Sequence, residues 1–251
     1  MAGSTHFEEG AEEYDAARPP YPAALWNRLR LLGLLEPGRS ALDLGAGSGQ
    51  ATGPLLAAGL SVTAVEPGPR LASLLRRTHP SAEVMVARAE DADLPPRRFD
   101  LVVAATSVHW LDLSVVLPKV GATLGPGGRF AVWRNVFGDA EAPVTPFRRR
   151  IAEIVAARRA PERPGPPAED LAAMTAALTA SGLFSVADAS SWRWTIELDA
   201  PAVERLFRTF SEWSADEAAE ASEAVVELGG SVIEHYSSWL LVLEPAGDRP
   251  G

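Results

Sequence analysis

The stretch from Ala41 to Glu66 constrains the fold of this chain more than any other. Ala41–Leu44 is short and apolar, Gly45-Ala46-Gly47-Ser48-Gly49 is glycine-rich, a helical segment follows, and the apolar run Val62–Val65 ends at Glu66. A strand entering a glycine turn, then a helix, then a second strand closed by a carboxylate is the pattern of a nucleotide-binding βαβ unit. Glycines let the backbone approach a ligand without a Cβ clash. A helix that starts at the turn directs its free N–H groups at whatever sits there. Glu66 follows Gly45 by 21 residues, where a ribose-binding carboxylate is expected.

The same rhythm continues. Apolar strand signals recur at Ser40–Leu44, Ser61–Glu66, Glu83–Arg88, Phe99–Ala105 and Gly128–Trp133, separated by helical segments. Short Val-, Leu- and Ala-rich strands alternating with helices imply a parallel sheet covered on both faces. Upstream, Ala23–Leu35 has Leu25, Trp26, Leu29 and Leu32 at helical spacing, and Gly125-Pro126-Gly127-Gly128 reads as a tight turn before the fifth strand. Glu8–Arg18 reads as a polar helix stopped by Pro19-Pro20-Tyr21-Pro22. After Asn135 come an arginine-rich helix, a Pro-rich linker at Pro161–Pro167, a helix at Ala168–Ser181, a strand at Ala187–Leu198, a helical stretch at Pro201–Glu227 and a last strand at Tyr236–Leu243. The expected division is an N-terminal segment with the first helix over 1–35, a core over 36–135, and a cap with the closing strands over 136–251.

Composition removes whole classes of function. A net charge of −10 and a pI near 5 repel a phosphate backbone, so nucleic acid is not an expected partner. With no cysteine, neither disulfides nor thiolate chemistry is available, and four histidines offer no metal cluster. No run of about 18 apolar residues suggests a membrane span, and the polar, acidic start lacks the features of a signal peptide. The expected location is the cytoplasm, as a monomer or homodimer. One basic island, Arg148, Arg149, Arg150, Arg158, Arg159 and Arg163, is either a solvated helix face or an anion-binding or partner surface.

The spacing of the glycines separates two cofactor classes. A dinucleotide fingerprint needs G-x-G-x-x-G; here Gln50 stands at the third glycine position and Gly49 comes one residue early. Asp43-Leu44-Gly45-Ala46-Gly47-Ser48-Gly49 resembles the first motif of class I S-adenosylmethionine-dependent methyltransferases, small-molecule enzymes similar to the ubiquinone/menaquinone-biosynthesis and trans-aconitate types. The resemblance covers about Phe7 to Asn135. It implies an α/β fold: a Rossmann-like, seven-stranded, mostly parallel sheet with helices on both faces, a final antiparallel strand, and a helical cap.

The resemblance also assigns residues. Gly45, Ala46, Gly47, Gly49 and Gln50 would take the amino-acid end of S-adenosylmethionine, with Asp43 orienting the loop. Glu66, before Pro67, would hold the ribose hydroxyls. Ala89 and Glu90 resemble an adenine-contacting segment, although two extra residues separate Glu90 from Leu94; Asp91 and Asp93 are helix caps or ligands. Ala105 and Thr106 would contact the cofactor. His109 is a general-base candidate or a positioning residue, and Trp110 a face for the sulfonium or a packing residue. Phe7, Tyr14 and Arg18, followed by Pro19-Pro20-Tyr21-Pro22, resemble a lid in which the tyrosine and arginine close over the cofactor. On the acceptor side, Trp133, Arg134 and Tyr236 are candidates, with Arg134 suited to an acidic group; Trp192, Trp194, Phe207, Phe210, Trp213 and Trp239 are an aromatic cap or core.

The expected reaction is in-line SN2 transfer of a methyl group to an oxygen or nitrogen atom of a small metabolite or peptide natural product. Positioning and desolvation carry such a reaction, so no catalytic triad is required. The alternatives are a protein that binds S-adenosylmethionine without transferring its methyl group and, less consistent with Gln50, a nicotinamide oxidoreductase.

Overall fold

A computed structural model describes residues 17–158, 170–210 and 212–247 of the 251. The elements run in the order α1 (Ala23–Leu31), β1 (Ser40–Leu44), α2 (Thr52–Ala57), β2 (Ser61–Val65), α3 (Pro69–Thr78), β3 (Glu83–Met85), β4 (Phe99–Ala105), a 3₁₀ turn (Val108–Trp110), α4 (Leu113–Thr123), β5 (Leu124–Phe137), α5 (Pro146–Ala156), α6 (Leu171–Thr179), β6 (Phe184–Asp199), α7 (Ala200–Arg208), α8 (Ala215–Glu227) and β7 (Ser231–Pro245).

All seven strands join one sheet in the order β3-β2-β1-β4-β5-β7-β6. The pairs β1–β2, β1–β4, β2–β3 and β4–β5 are parallel. β7 runs the other way. Arg129 pairs with Glu244, Asn135 with Ser238, and the Gly138 amide with the His235 carbonyl, so numbers rise along β5 as they fall along β7. β6 is likewise antiparallel to β7, since Ser231 meets Glu197 and the Ala246 amide reaches the Leu183 carbonyl. The expected Rossmann-like, seven-stranded mixed sheet is the observed one.

Contacts divide the chain into two compact units. Among described residues one comprises 21–135, 170–192 and 238–247. Its strands are buried on both faces, as parallel strands between helix layers must be. Ala41, Val62, Leu101, Val103, Ala131 and Trp133 pack with Leu25, Trp26 and Leu29 of α1 and Leu55 of α2. Leu75 of α3 meets Ala64 on the same face. On the other face Phe130 lies 5.9 Å from Phe184, against which Gly121 of α4 also rests. The first helix therefore packs in this core.

The second unit comprises 17–20, 136–158 and 193–237 among described residues. Its core is Phe147, Ile151 and Ile154 of α5 with Val203, Leu206 and Phe207 of α7 and Ala218, Ala221 and Val225 of α8. Three of its guanidiniums lie over aromatic faces: Arg18 on Phe210, Arg148 on Phe137 and Arg158 on Trp213. Three members of the basic island are matched by carboxylates here, while Arg149 is exposed. Arg148 pairs with the fully buried Glu234, Arg150 with Glu153 and Glu227, and Arg158 with Glu217. Arg159 and Arg163 lie outside the described residues.

Several boundaries differ from expectation for local reasons. β3 stops at Met85, because its partner β2 ends at Val65 and the Asp91 and Ala92 amides fold back onto the Arg88 carbonyl. The Gly125–Gly128 turn is a bulge inside β5: Leu124 still pairs with Phe99, and the register then shifts before Arg129 pairs with Leu101. The stretch Pro201–Glu227 is two helices. Ser214 starts the second with a reciprocal capping box to Glu217, which satisfies amides a continuous helix would not expose. β5, β6 and β7 each run longer than read from sequence, lengths set by mutual pairing. The polar helix expected over Glu8–Arg18 falls almost wholly outside the described residues.

Candidate cofactor site

The glycine loop joins β1 to α2, and its three glycines answer three different demands. Gly45 has φ +68°, and a Cβ there would lie 2.7 Å from the Ser107 Cβ. Gly49 has φ +103°, and its Cβ would meet the His79 ring at 2.6 Å. Gly47 has φ +58°, with nothing within 4 Å of where a Cβ would go. The first and third are needed for packing; the middle one presents bare backbone to open space, as a ligand cradle requires.

The loop amides do not point outward as the sequence suggested. Gly45 and Ala46 donate to the Val65 carbonyl at 2.8 and 3.1 Å, and Gly49 donates to the Ala46 carbonyl at 3.0 Å. Gly47 donates to Glu66 Oε2 at 2.8 Å. The following helix has six residues, too short for a strong dipole. With these four amides engaged, the side chains gathered at the loop are the carboxylates of Asp43 and Glu66, a pair suited to a cation.

Asp43 is fully buried at the end of β1. Its Oδ2 accepts from the Thr52 hydroxyl at 2.7 Å, while Oδ1 has no hydrogen-bond partner among the described residues. Burial pushes its carboxyl up to about 7; the Thr52 hydroxyl opposes this and the Glu66 charge adds to it. An orphaned buried carboxylate oxygen is costly, and a bound cation or donor removes the cost. Glu66, 5% exposed, accepts from the Gly47 and Gly68 amides at 2.8 Å each, one on each oxygen. A carboxylate oxygen accepts from more than one donor, hydroxyls included. Thus Asp43, Glu66 and Gly47 are brought together, while Pro67 lies exposed beside them.

The end of β4 forms the next wall. Thr106 has φ +57°, a strained value for a β-branched residue that costs about 1–3 kcal/mol. Its amide donates to the Trp133 carbonyl at 2.8 Å, and its hydroxyl lies 3.0 Å from that of Tyr21. Ser107 then donates to the Leu44 carbonyl at 2.6 Å. His109 and Trp110 follow in the 3₁₀ turn with ring centroids 4.7 Å apart, and Trp110 is 55% exposed.

Ala89 is buried and Glu90 is tethered. Its carboxylate accepts from the Asp112 amide at 2.9 Å and pairs with Arg88, while Lys119 donates to its carbonyl and to that of Ala92. Burial would raise the Glu90 carboxyl, but the Asp112 amide and Arg88 outweigh it and hold it below the usual range. Neither Asp91 nor Asp93 begins a helix.

The acceptor candidates are scattered. Trp133 is fully buried, edge-on to Tyr21 and Trp26, and packs as core. Arg134 is half-buried, within β5 rather than at its end. Tyr236 belongs to the second unit, stacked on Trp194 at 4.7 Å; burial pushes its phenol well above the usual range. Arg18, also in that unit, donates to the Thr209 carbonyl at 3.0 Å. Tyr14 and Phe7 lie outside the described residues. Sequence reasoning missed Thr52, His79, Ser107 and Tyr21. The readable hint was Gly49 and Gly53, four apart in sequence and both packed on the His79 ring.

Residues 42–132 match the family of methyltransferase domains. An uncharacterized methyltransferase of Mycobacterium tuberculosis is 35% identical over 133 residues, 53% of each chain. The chain thus spans about half the length of the curated relatives it matches. A solved structure from Anaeromyxobacter dehalogenans, described as a candidate type II methyltransferase, aligns with a TM-score of 0.59 at 26% identity, covering 90% of this chain and 96% of that one. A phosphoethanolamine N-methyltransferase of Haemonchus contortus shares the fold at a TM-score of 0.55 and 16% identity, over 98% of this chain and 60% of that one. Residues 42–132 are thus similar to methyltransferase domains, and the fold is shared with solved methyltransferases; the narrower likeness to ubiquinone-pathway and trans-aconitate enzymes has no counterpart among these proteins.

Proposed function

We propose that this methyltransferase binds S-adenosylmethionine on the Gly45–Gly49 loop and transfers its methyl group to an oxygen or nitrogen atom of a small metabolite or peptide natural product. The observation that carries the reading is the orphaned Asp43 Oδ1, buried at the end of the strand that enters a loop whose Gly45, Ala46, Gly47 and Gly49 amides are spent and whose middle glycine faces open space. A ligand with an ammonium and a sulfonium supplies the positive charge this site lacks.

Bound there, the cofactor supplies an electrophilic methyl on positive sulfur. Asp43 and the loop carbonyls hold the ammonium end. Glu66 accepts from the ribose hydroxyls while its backbone bonds fix its orientation. The Ala89–Glu90 backbone, tethered by Lys119, lies beside the adenine. Ala105 and Thr106 line the reacting end, where excluding water matters more than covalent help. His109 positions the acceptor or takes its proton, and Arg134 holds an acidic acceptor.

Titration calorimetry with S-adenosylmethionine and S-adenosylhomocysteine tests the cofactor, with binding of both expected. Incubation with methyl-labelled cofactor and a metabolite library then tests transfer. Absence of any binding overturns the reading. Binding without labelled product from any acceptor favours a protein that holds the cofactor without using its methyl group.

A further inference from the structure

We infer that Tyr21 is a positioning residue for the cofactor loop, acting through the strained backbone of Thr106. The inference rests on the cofactor reading above and concerns a residue that reading leaves unused.

Thr106 is a β-branched residue at φ +57°, a conformation that persists only when its surroundings hold it. Two contacts do so. The Thr106 amide extends the β4–β5 ladder onto the Trp133 carbonyl. The Tyr21 hydroxyl meets the Thr106 hydroxyl at 3.0 Å. Tyr21 is itself fixed, almost fully buried, edge-on to Trp26 at 6.2 Å and to Trp133 at 5.7 Å.

The conformation of Thr106 sets the next residue. Ser107 is buried, and its hydroxyl donates to the Leu44 carbonyl, the last of β1 before the loop. Its Cβ occupies the space that keeps position 45 a glycine. The contacts therefore run from Tyr21 to Thr106, from Thr106 along the chain to Ser107, and from Ser107 onto Leu44 and Gly45. Without the Tyr21 hydroxyl, Thr106 relaxes toward negative φ, Ser107 shifts, and the Gly45 turn loses its backing. Because the loop presents carbonyls and carboxylates rather than side chains that can readjust, a small backbone shift reaches the ligand directly. Tyr21 is thus bonded at the head of a relay, away from the Gly45–Gly49 loop it governs.

The test is a double-mutant cycle of Tyr21→Phe and Thr106→Gly, read as S-adenosylhomocysteine affinity by calorimetry. Glycine holds positive φ without help. Tyr21→Phe is expected to weaken binding about tenfold when position 106 is threonine and by less than about twofold in the Thr106→Gly background. Equal loss in both backgrounds, or no loss in either, overturns the inference. A purely structural role for the hydroxyl would lower the melting temperature equally in both without that difference in affinity. A second measurement needs no ligand: the Thr106 amide, bonded to the Trp133 carbonyl, should exchange with deuterium faster in Tyr21→Phe than in the native chain, and unchanged exchange overturns the inference. If the native chain binds no S-adenosylhomocysteine, the cofactor reading fails, and the exchange measurement still decides whether Tyr21 holds Thr106.

Discussion

Among the described residues two carboxylates are fully buried, one in each unit, and they are treated oppositely. Asp43 has a hydroxyl on one oxygen, nothing on the other, and the Glu66 charge nearby. Glu234 faces the Arg148 guanidinium at 2.6 Å, itself held over the Phe137 ring and against Gly138. Glu234 Oε1 also lacks a hydrogen-bond partner among the described residues, so the contrast is one of charge: Glu234 has a guanidinium against it, whereas the group whose charge acts on Asp43 is another carboxylate. Buried charge without a cation marks a place for a ligand; buried charge with one marks a strut.

Removing the strut should produce the largest effect. Arg148→Met leaves Glu234 buried without its cation and is expected to cost about 3 kcal/mol of stability by denaturant titration. Burial already raises the Glu234 carboxyl, with Arg148 offsetting that only in part. The loss should therefore be greater at pH 8 than at pH 5, because at low pH the unpaired group takes up a proton. Cofactor affinity should stay within about twofold of native. A stability loss independent of pH would contradict the strut.

Glu66→Ala attacks the other side of the comparison. It removes a charged acceptor and is expected to weaken S-adenosylhomocysteine binding by about 2 kcal/mol, roughly thirtyfold. Unchanged affinity would show that Glu66 serves only the Gly47 and Gly68 amides.

Asp43 predicts a pH slope. Its folded carboxyl titrates at about 7, above the ordinary carboxylate range. Between those values the folded state holds more protons than the unfolded chain. The stability Asp43 contributes is present in full below about pH 4 and is lost as pH rises through about 7. Asp43→Asn should flatten melting temperature against pH over that window. Bound S-adenosylmethionine should favour the ionised form, so calorimetry near pH 7 should show proton release that Asp43→Asn abolishes.

The smallest effect expected is on Gly47→Ala. Its Cβ meets no protein atom, so stability should fall by only about 1 kcal/mol, from φ alone. Cofactor affinity should fall further, because the methyl group enters the ligand's space. Equal losses would mean that Gly47 faces no ligand.

The first unit was legible because its information is local. β1, the glycine turn, β2 and Glu66 lie within a few dozen consecutive residues, and each type has one physical use there. What escaped was long-range or reciprocal. Tyr21 and Thr106 stand 85 positions apart, and neither residue alone hints at the bond or at the positive φ. The direction of the loop amides depends on Val65, whose carbonyl no side-chain pattern reveals. In the second unit, the partners of Arg148, Arg150 and Arg158 come from the distant Glu234, Glu227 and Glu217, which no local pattern reveals. Trp133 looked like pocket floor from its place late in a strand, but Trp26 and Tyr21 close over it.

The position of β7 between β5 and β6 sets pairing order against synthesis order. β5 and β6 leave the ribosome first, yet neither gains its shared neighbour until the strand C-terminal to both arrives. Until then each exposes an unpaired edge, β5 with an apolar centre at Phe130–Trp133. The nascent chain therefore carries a template for wrong strand addition from the completion of β5 until β7 arrives. Chaperone demand and inclusion-body formation should track how quickly that final strand docks.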